Sequence, residues 1–295
     1  MASLHTWIRR VDVCLPGGRA RATQRLARRR ARYANLEQFE TKIEGRSLTF
    51  STADEYSHSW FYTRYKPGDL HEAPVTRLLL GALDGASSFA DVGSHLGWYA
   101  CCAAAKLGVE RVSAFEMDAT NFELLERNLS LNGFDSMTRE LAAIGDHAGT
   151  VEYMASPGHP SQLLSLENTR VEGLELVKTS VPMITLDEYF ADRDQKPDVM
   201  KIDVEGAEMR VLRGADDLVH SHARVLFIEV HPGLMRAFGD SPHDLIRWLI
   251  ERGFKLERIG AMRATDSGGS LTRVTPSSRL FGHSVMIRAT KTHAP

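Results

Sequence analysis

Two stretches decide the fold: Phe89-Ala90-Asp91-Val92-Gly93-Ser94-His95-Leu96-Gly97-Trp98 and, 110 residues later, Val199-Met200-Lys201-Ile202-Asp203-Val204-Glu205-Gly206-Ala207-Glu208. Each begins as a short apolar run and breaks into acids and glycine. A buried strand that ends in glycines and leads into a helix is how open α/β sheets present nucleotide-like ligands. Gly93 predicts a tight turn with positive φ and a close backbone approach to the ligand. Gly97 is expected to let the helix beginning near Trp98 pack against the strand. Arg111-Val112-Ser113-Ala114-Phe115-Glu116 reads as the next strand, and it closes on an acid at the spacing where such folds bind ribose hydroxyls. The place of the first glycine in a dinucleotide fingerprint is taken by Asp91. A carboxylate there repels a pyrophosphate but suits a ligand with an ammonium group and no phosphate, which points to S-adenosylmethionine (SAM). The same residue counts against the alternative of a nicotinamide-dependent oxidoreductase.

Working outward, Phe39–Ile43 and Ser47–Phe50 alternate in β fashion around Glu44-Gly45-Arg46 and predict a hairpin. A helix is expected at about 72–83, the first core strand at 88–92 and an Ala-rich helix at 98–107. Thr120-Asn121-Phe122-Glu123 reads as a capping box opening a helix that ends at Asn132-Gly133. Strands follow around 140–144 and 150–154, then a Gly/Pro/Ser loop. After Pro197 come a strand to Asp203, a helix from Ala207, a strand at 225–230, a helix at 243–252 and closing strands at 254–259 and 283–287. Strands alternating with helices imply a parallel sheet.

Chemistry in such a sheet belongs at the carboxyl ends of the strands. Asp203 and Glu205 leave one strand two residues apart, and Glu229 and His231 leave the next with the same spacing. If these strands are neighbours, four ionisable groups converge. If the group that reacts there is a hydroxyl, it must lose its proton, and a carboxylate or imidazole can take it. His231 suits the task because its ordinary pKa lies near neutrality; capping of the strand before Pro232 is the equally weighted structural role. For Glu205 and Glu208 the structural alternative is charge stabilisation of a helix N-terminus. Asp203, Glu229 and His231 are also types that bind a hard cation, but the dedicated Asp-Asn pair of metal-dependent O-methyltransferases and any zinc pattern are missing, and no metal is expected.

The motifs D-V-G-S-H-L-G-W, A-F-E-M, A-A-I-G-D, M-K-I-D-V-E-G-A-E and F-I-E-V-H resemble, in order and spacing, the FkbM family of SAM-dependent methyltransferases. K-I-D-V-E-G-A-E is the specific part, and the resemblance runs over about residues 45 to 290. It implies a seven-stranded, mostly parallel Rossmann-like sheet of the class I methyltransferase type, closed by an antiparallel hairpin. It also implies O-methylation of a hydroxyl on a small molecule, sugar or glycan. The cofactor-binding set is then Glu72, Asp91, Gly93, Ser94, His95, Gly97, Trp98, Glu116, Met117, Ala143 and Asp203. The catalytic set is His231, Glu229, Asp203 and Glu205. The family pattern has an asparagine-like residue where His95 stands and often a proline where Met117 stands. The segments 61–72 and 156–169, with Tyr62, Tyr65, His159, Ser161 and Gln162, are expected to cover the acceptor.

Composition agrees with a water-soluble enzyme: 43% apolar and 25% charged residues, with no apolar run of the roughly 18 residues that span a bilayer. The net charge of −2 conceals an asymmetry. Residues 1–35 hold nine arginines and one acid, so they carry +8 and the rest −10. This suggests a basic helical arm over residues 1–38 ahead of a methyltransferase domain over 39–295. The arm reads first as a solvated segment, with contact to nucleic acid, an anionic surface or an acidic partner as the less favoured alternative. That alternative includes a nucleic-acid methyltransferase, although Asp203-Val204-Glu205-Gly206 stands where a base-amine motif would. Cys101 and Cys102 lie adjacent on a helix and face different sides, which argues for core packing and a reducing, cytoplasmic setting. Oligomeric state leaves no signal in the sequence.

Overall fold

Alternating apolar residues fold Gln38–Ile43 (β1) and Arg46–Ser51 (β2) into an antiparallel hairpin whose inward face carries Phe39, Thr41, Ile43, Leu48 and Phe50. The computed structural model describes residue 28 and residues 31–156, 176–265 and 269–292. Most of the N-terminal arginine cluster, Cys14, and the loop residues His159, Ser161 and Gln162 therefore lie outside the described residues. After the hairpin come helices Glu55–Tyr62 (α1) and Ala73–Ala82 (α2). Then the chain enters the sheet at Phe89–Val92 (β3), which leads through Trp98–Leu107 (α3) to Val112–Glu116 (β4).

Helix α4 (Ala119–Leu131) is capped by Asp118, whose side chain accepts from the Asn121 amide at 2.9 Å. The sequence pattern placed the cap at Thr120; Asp118 takes the role because it is the last extended residue before the helix. The expected single strand at 140–144 is two. Thr138–Leu141 (β5) pairs with β4, the Ala142 amide bonds the Glu116 carbonyl as the last rung, and Ala143–Ile144 (β6) joins a different sheet. That small sheet, in order β6-β8-β7, also holds Gly149–Ala155 (β7) and Val177–Ile184 (β8). Strand β8 escapes sequence reading because Lys178, Ser180 and Pro182 break its apolar pattern.

The chain then runs through Leu186–Phe190 (α5), Val199–Ile202 (β9), Glu208–Arg213 (α6), Asp216–Ser221 (α7), Val225–Val230 (β10), Pro242–Glu251 (α8), Phe254–Ile259 (β11), Leu271–Val274 (β12) and Val285–Lys291 (β13). The large sheet has eight strands in the order β12-β11-β13-β10-β9-β3-β4-β5. That is one more than the expected seven, because β12, exposed at three of its four residues, pairs antiparallel with β11 at the edge. The five strands β5, β4, β3, β9 and β10 are parallel, and β13 closes against β10 antiparallel. The near-continuous burial of β3, β4, β9 and β10 is what a parallel sheet covered on both faces requires, whereas β5, at the edge, has no buried residue. Helices α2, α3 and α4 cover one face and α5 to α8 the other. Cys101 and Cys102 are buried free thiols in the first of these layers.

The chain winds outward from β3 to β5, then returns to the other side of β3 with β9 and β10. The switch point therefore lies between β3 and β9, the place where open sheets bind ligands. The N-terminal hairpin packs against α1, α3 and α4. Phe50 stacks on Trp98 at 4.9 Å between ring centroids and Phe39 on Phe61 at 4.4 Å. Asn128 and Asn132 of α4 bond the β2 backbone through Ser51 and Thr49. Each buried aromatic ring contributes roughly 1.5–3 kcal/mol by leaving water, so the hairpin is an integral part of the fold.

At the switch, Gly93 takes φ +77 and a Cβ there would overlap the Asp203 carbonyl oxygen. Gly133 has a similar φ, +68, with open space around it. Gly93→Ala should therefore cost about 3 kcal/mol or more, from backbone strain plus overpacking, and Gly133→Ala only about 1 kcal/mol. Urea unfolding of the two variants checks this; equal losses would mean that the β3–β9 approach is not tight.

Candidate active site

The β3–α3 turn is pinned from inside. Ser94 Oγ donates to the Asp91 carbonyl at 2.8 Å and accepts from the Phe115 amide at 3.1 Å. His95 follows with a left-handed φ of 54, a conformation that costs a side-chain-bearing residue energy and tends to persist at functional sites. Its amide donates to Glu116 Oε2 at 2.7 Å, and the Asp118 amide donates to Glu116 Oε1 at 2.9 Å. Burial raises the Glu116 pKa to about 7 against the pull of these two amides. The His95 ring meets the Tyr56 hydroxyl at 2.7 Å, and burial lowers its pKa to about 4, so it is neutral at physiological pH.

Gly93 and Gly97 act differently from expectation. The close approach at Gly93 is to the Asp203 backbone, so the glycine brings two strand ends together. The missing side chain of Gly97 makes room for Leu125 of α4, whose Cδ1 would lie 2.6 Å from a Cβ, and the partner is a helix rather than the strand. Asp91 is also displaced from its expected role. It is 1% exposed, stands outside the cavity wall, and neither carboxylate oxygen makes a well-formed hydrogen bond. Burial raises its pKa to about 7, opposed by Lys201, its register partner on β9.

Strands β9 and β10 are neighbours, and their ends converge as the spacing predicted. His231, 2% exposed, presents Nε2 to Glu205 at 3.3 Å and to Asp203 and Glu229 at 3.9 Å each. Its Nδ1 lies 2.7 Å from Glu208 Oε1. Burial favours the neutral ring, but the Glu208 hydrogen bond and the surrounding carboxylates override it and lift the pKa to about 10. That value lies well above the near-neutral one expected of an imidazole base, and it favours the protonated ring. Burial raises Glu205 to about 8 and Glu229 to about 8, the latter aided by Asp203 and Glu72. Asp203 moves down because Lys201 and His231 outweigh its own desolvation. Asp203, Glu205 and His231 bring donor atoms within 4.8 Å of one another, an arrangement already accounted for by imidazolium–carboxylate pairing.

Several participants were not anticipated. Lys201, 1% exposed, donates to Asp203 Oδ2 at 2.9 Å and faces the Tyr99 ring. A lysine inside an apolar strand, two residues before an acid and so on its face, was the available signal. Tyr99 donates to Glu72 Oε2 at 2.9 Å, and Arg263 reaches Glu72 and Glu229 at 3.6 Å each. Glu72, the N-cap of α2, also has positive φ, as does Glu205. Tyr62 and Tyr65 do not face the acceptor. Both are fully buried, with hydroxyls turned to the Gln38 carbonyl and the His71 ring. Arg64 and His71 of the same segment, and Trp60 just before it, reach the cavity in their place.

These groups line one cavity of about 730 Å³ running across the switch point. Ser94, Glu116, Met117, Asn121 and Ala143 wall one end, and Asp203, Glu205, Glu229 and His231 the other. Residues 91–256, more than half of the chain, match the family model described as the methyltransferase FkbM domain. The protein belongs to the FkbM methyltransferase family. It is 28% identical over 187 residues to the hexuronic acid methyltransferase AglP of Haloferax volcanii, covering 63% of this chain and 71% of that protein. It is 27% identical over 210 residues to the methyltransferase sdnD of Sordaria araneosa, covering 62% and 79%. Among solved structures it is similar to a methyltransferase FkbM from Methylobacillus flagellatus, with 18% identity and a TM-score of 0.44. That match covers 68% of this chain and 43% of the other.

As an FkbM methyltransferase the protein is an enzyme that takes its methyl group from SAM. The cavity fits that group. The Glu116 carboxylate, with two amides bound, still has lone pairs for ribose hydroxyls. The acids at the opposite end suit a positively charged sulfur. Among the described residues no helix is long and apolar enough to cross a membrane.

The His231 pKa, raised from 6.5 to about 10, carries a stability consequence. The folded FkbM methyltransferase binds this proton more tightly than the unfolded chain, so the contribution is complete below pH 6.5 and lost as pH rises through about 10. Urea unfolding of wild type and His231→Gln at pH 6, 8 and 10 should show the wild-type advantage shrinking steadily. A constant advantage would mean that the ring is neutral in the native state.

Proposed function

We propose that this enzyme methylates a hydroxyl oxygen of an acidic sugar or glycan unit, with Glu205 as the proton acceptor. The carrying observation is the convergence of Asp203, Glu205, Glu229 and His231 on the cavity at adjoining strand ends. When bound, SAM supplies a methyl group made electrophilic by a positively charged sulfur. Ser94, Glu116, Met117 and Ala143 would hold its nucleoside end, and Glu72, His95, Trp98 and Asp203 its amino-acid end. Gly93 and Gly97 shape the turn, and Asp91 acts through Lys201.

The acceptor hydroxyl loses its proton as the new bond forms. His231 is already protonated, and Asp203 is held ionised as a weak base. Glu229 lies deeper, beside Arg263. Glu205 lines the cavity with its pKa raised to about 8, close to the working pH, where general bases are most effective. His231 and Lys201 balance the negative charge that the acids concentrate. Arg64, Arg210 and Arg263 in the wall suit a carboxylate on the acceptor, and Trp60 and Phe238 offer flat faces to a sugar ring. AglP, by its name, acts on a hexuronic acid, which supports the same class here.

Transfer of radiolabelled methyl from SAM to uronic-acid sugars and to their neutral counterparts tests the acceptor, with the acidic sugars expected to be preferred. Glu205→Gln should lower kcat by roughly 10²–10⁴-fold, with SAM affinity unchanged, and wild-type kcat should rise with pH through about 8. Near-normal turnover in this variant removes Glu205 as the base. Calorimetry on Glu116→Ala should show SAM binding weakened by about 1–3 kcal/mol; unchanged affinity takes Glu116 out of the ribose site.

A further inference from the structure

One carboxylate near the cluster lines no part of the cavity. Glu208, the first residue of α6, is fully buried with 0% exposure. Its Oε1 lies 2.7 Å from His231 Nδ1 and accepts from the Gly206 amide at 3.0 Å. The two partners belong to different elements. His231 directly follows β10, whereas Gly206 belongs to the β9–α6 turn, in which Glu205 has φ 51 and Gly206 φ 111. A Cβ on Gly206 would lie 2.8 Å from Leu234 Cβ, so the turn is pressed against the segment that follows His231. One oxygen therefore ties the strained turn that carries Glu205 to the ring that Glu205 faces.

We propose that Glu208 is the positioning residue of this active site, with its Oε1 holding His231 and the Glu205–Gly206 turn in one arrangement so that Nε2 and the Glu205 carboxylate meet at the cavity. This rests on the role given above to Glu205. The physical reason is geometric. The ring can flip about its Cβ–Cγ bond, and an acceptor on Nδ1 removes that freedom. The left-handed backbone at Glu205 persists only while neighbouring contacts over-determine it, and the Gly206 amide bond is such a contact. Glu208 joins Glu205 and Asp203 in raising the His231 pKa. His283, with ring centroid 6.1 Å away, faces the ring from the approach to β13, and Arg263 stands behind Glu229. A helix N-terminus alone does not explain the choice of residue, since an exposed acid serves that purpose without a buried double contact.

The test uses the full chain and Glu208→Gln, which keeps an acceptor oxygen but loses the charge, together with Glu208→Ala. Nitrogen-15 NMR of the histidine rings reports tautomer and titration without an acceptor substrate, and calorimetry reports SAM affinity. In Glu208→Gln, the His231 titration should move toward neutrality, SAM affinity should stay within about twofold, and kcat should fall at least about tenfold with a displaced pH profile. Glu208→Ala should lose more kcat and show mixed His231 tautomers. An unchanged His231 titration and pH profile in Glu208→Gln overturns the proposal. So does loss of SAM binding in parallel with kcat, which marks a merely structural acid. If Glu205→Gln and His231→Ala also keep full turnover, the reading of the active site itself has failed; if they lose turnover and Glu208→Gln does not, only the role of Glu208 has.

Discussion

The contact between Gly93 and the Asp203 carbonyl is the constraint on which the rest of this molecule depends. Strands β3 and β9 are neighbours in the sheet but distant in sequence, and their carboxyl ends come so close that no side chain fits between them. That approach sets the floor of the cavity. It places the turn carrying Ser94 and His95 on one side and the turn carrying Glu205 and Gly206 on the other. Ser94, bonded to both β3 and β4, then fixes the distance to Glu116.

Around this floor the protein concentrates negative charge. Glu72, Asp203, Glu205 and Glu229 face the cavity, with Asp91 and Glu208 buried behind. Burying charge is costly unless it is paired and hydrogen-bonded. Here the compensation comes from Lys201, His231 and Arg263, and from raised pKa values that keep some carboxyls protonated near neutrality. Such tension is typical of sites that must handle a proton and a cationic ligand. Among the described residues, three of the five non-glycine residues with positive φ, Glu72, His95 and Glu205, line this same cavity. Backbone strain and electrostatic strain thus coincide, and the hairpin with its stacked Phe50 and Trp98 supplies packing that holds them.

Much of this was legible along the chain. Apolar runs broken by acids and glycines located β3, β4, β9 and β10, because a buried parallel strand writes its hydrophobicity locally. The i, i+2 spacing of Asp203 with Glu205 and of Glu229 with His231 put the acids on common sides, because strand geometry has period two. Strands β8 and β12 were not legible. The first is interrupted by polar residues and proline, the second is exposed, and both are held by partners far away in sequence rather than by their own pattern.

The sequence by itself determined the alternation of strands and helices and the set of acids, which follow from local periodicity and spacing, and it carried the motifs by which the family is resembled. Only the tertiary structure decided what each charged group does. Asp91 proved to lie outside the cavity wall, Tyr62 and Tyr65 in the core, and Lys201 beside Asp203. The His231 pKa is raised because acids of the 203–208 stretch, brought beside the end of β10, meet around one buried ring. A protonation state is a sum over distances through a medium of low polarity, and those distances exist only once strands remote in sequence lie side by side.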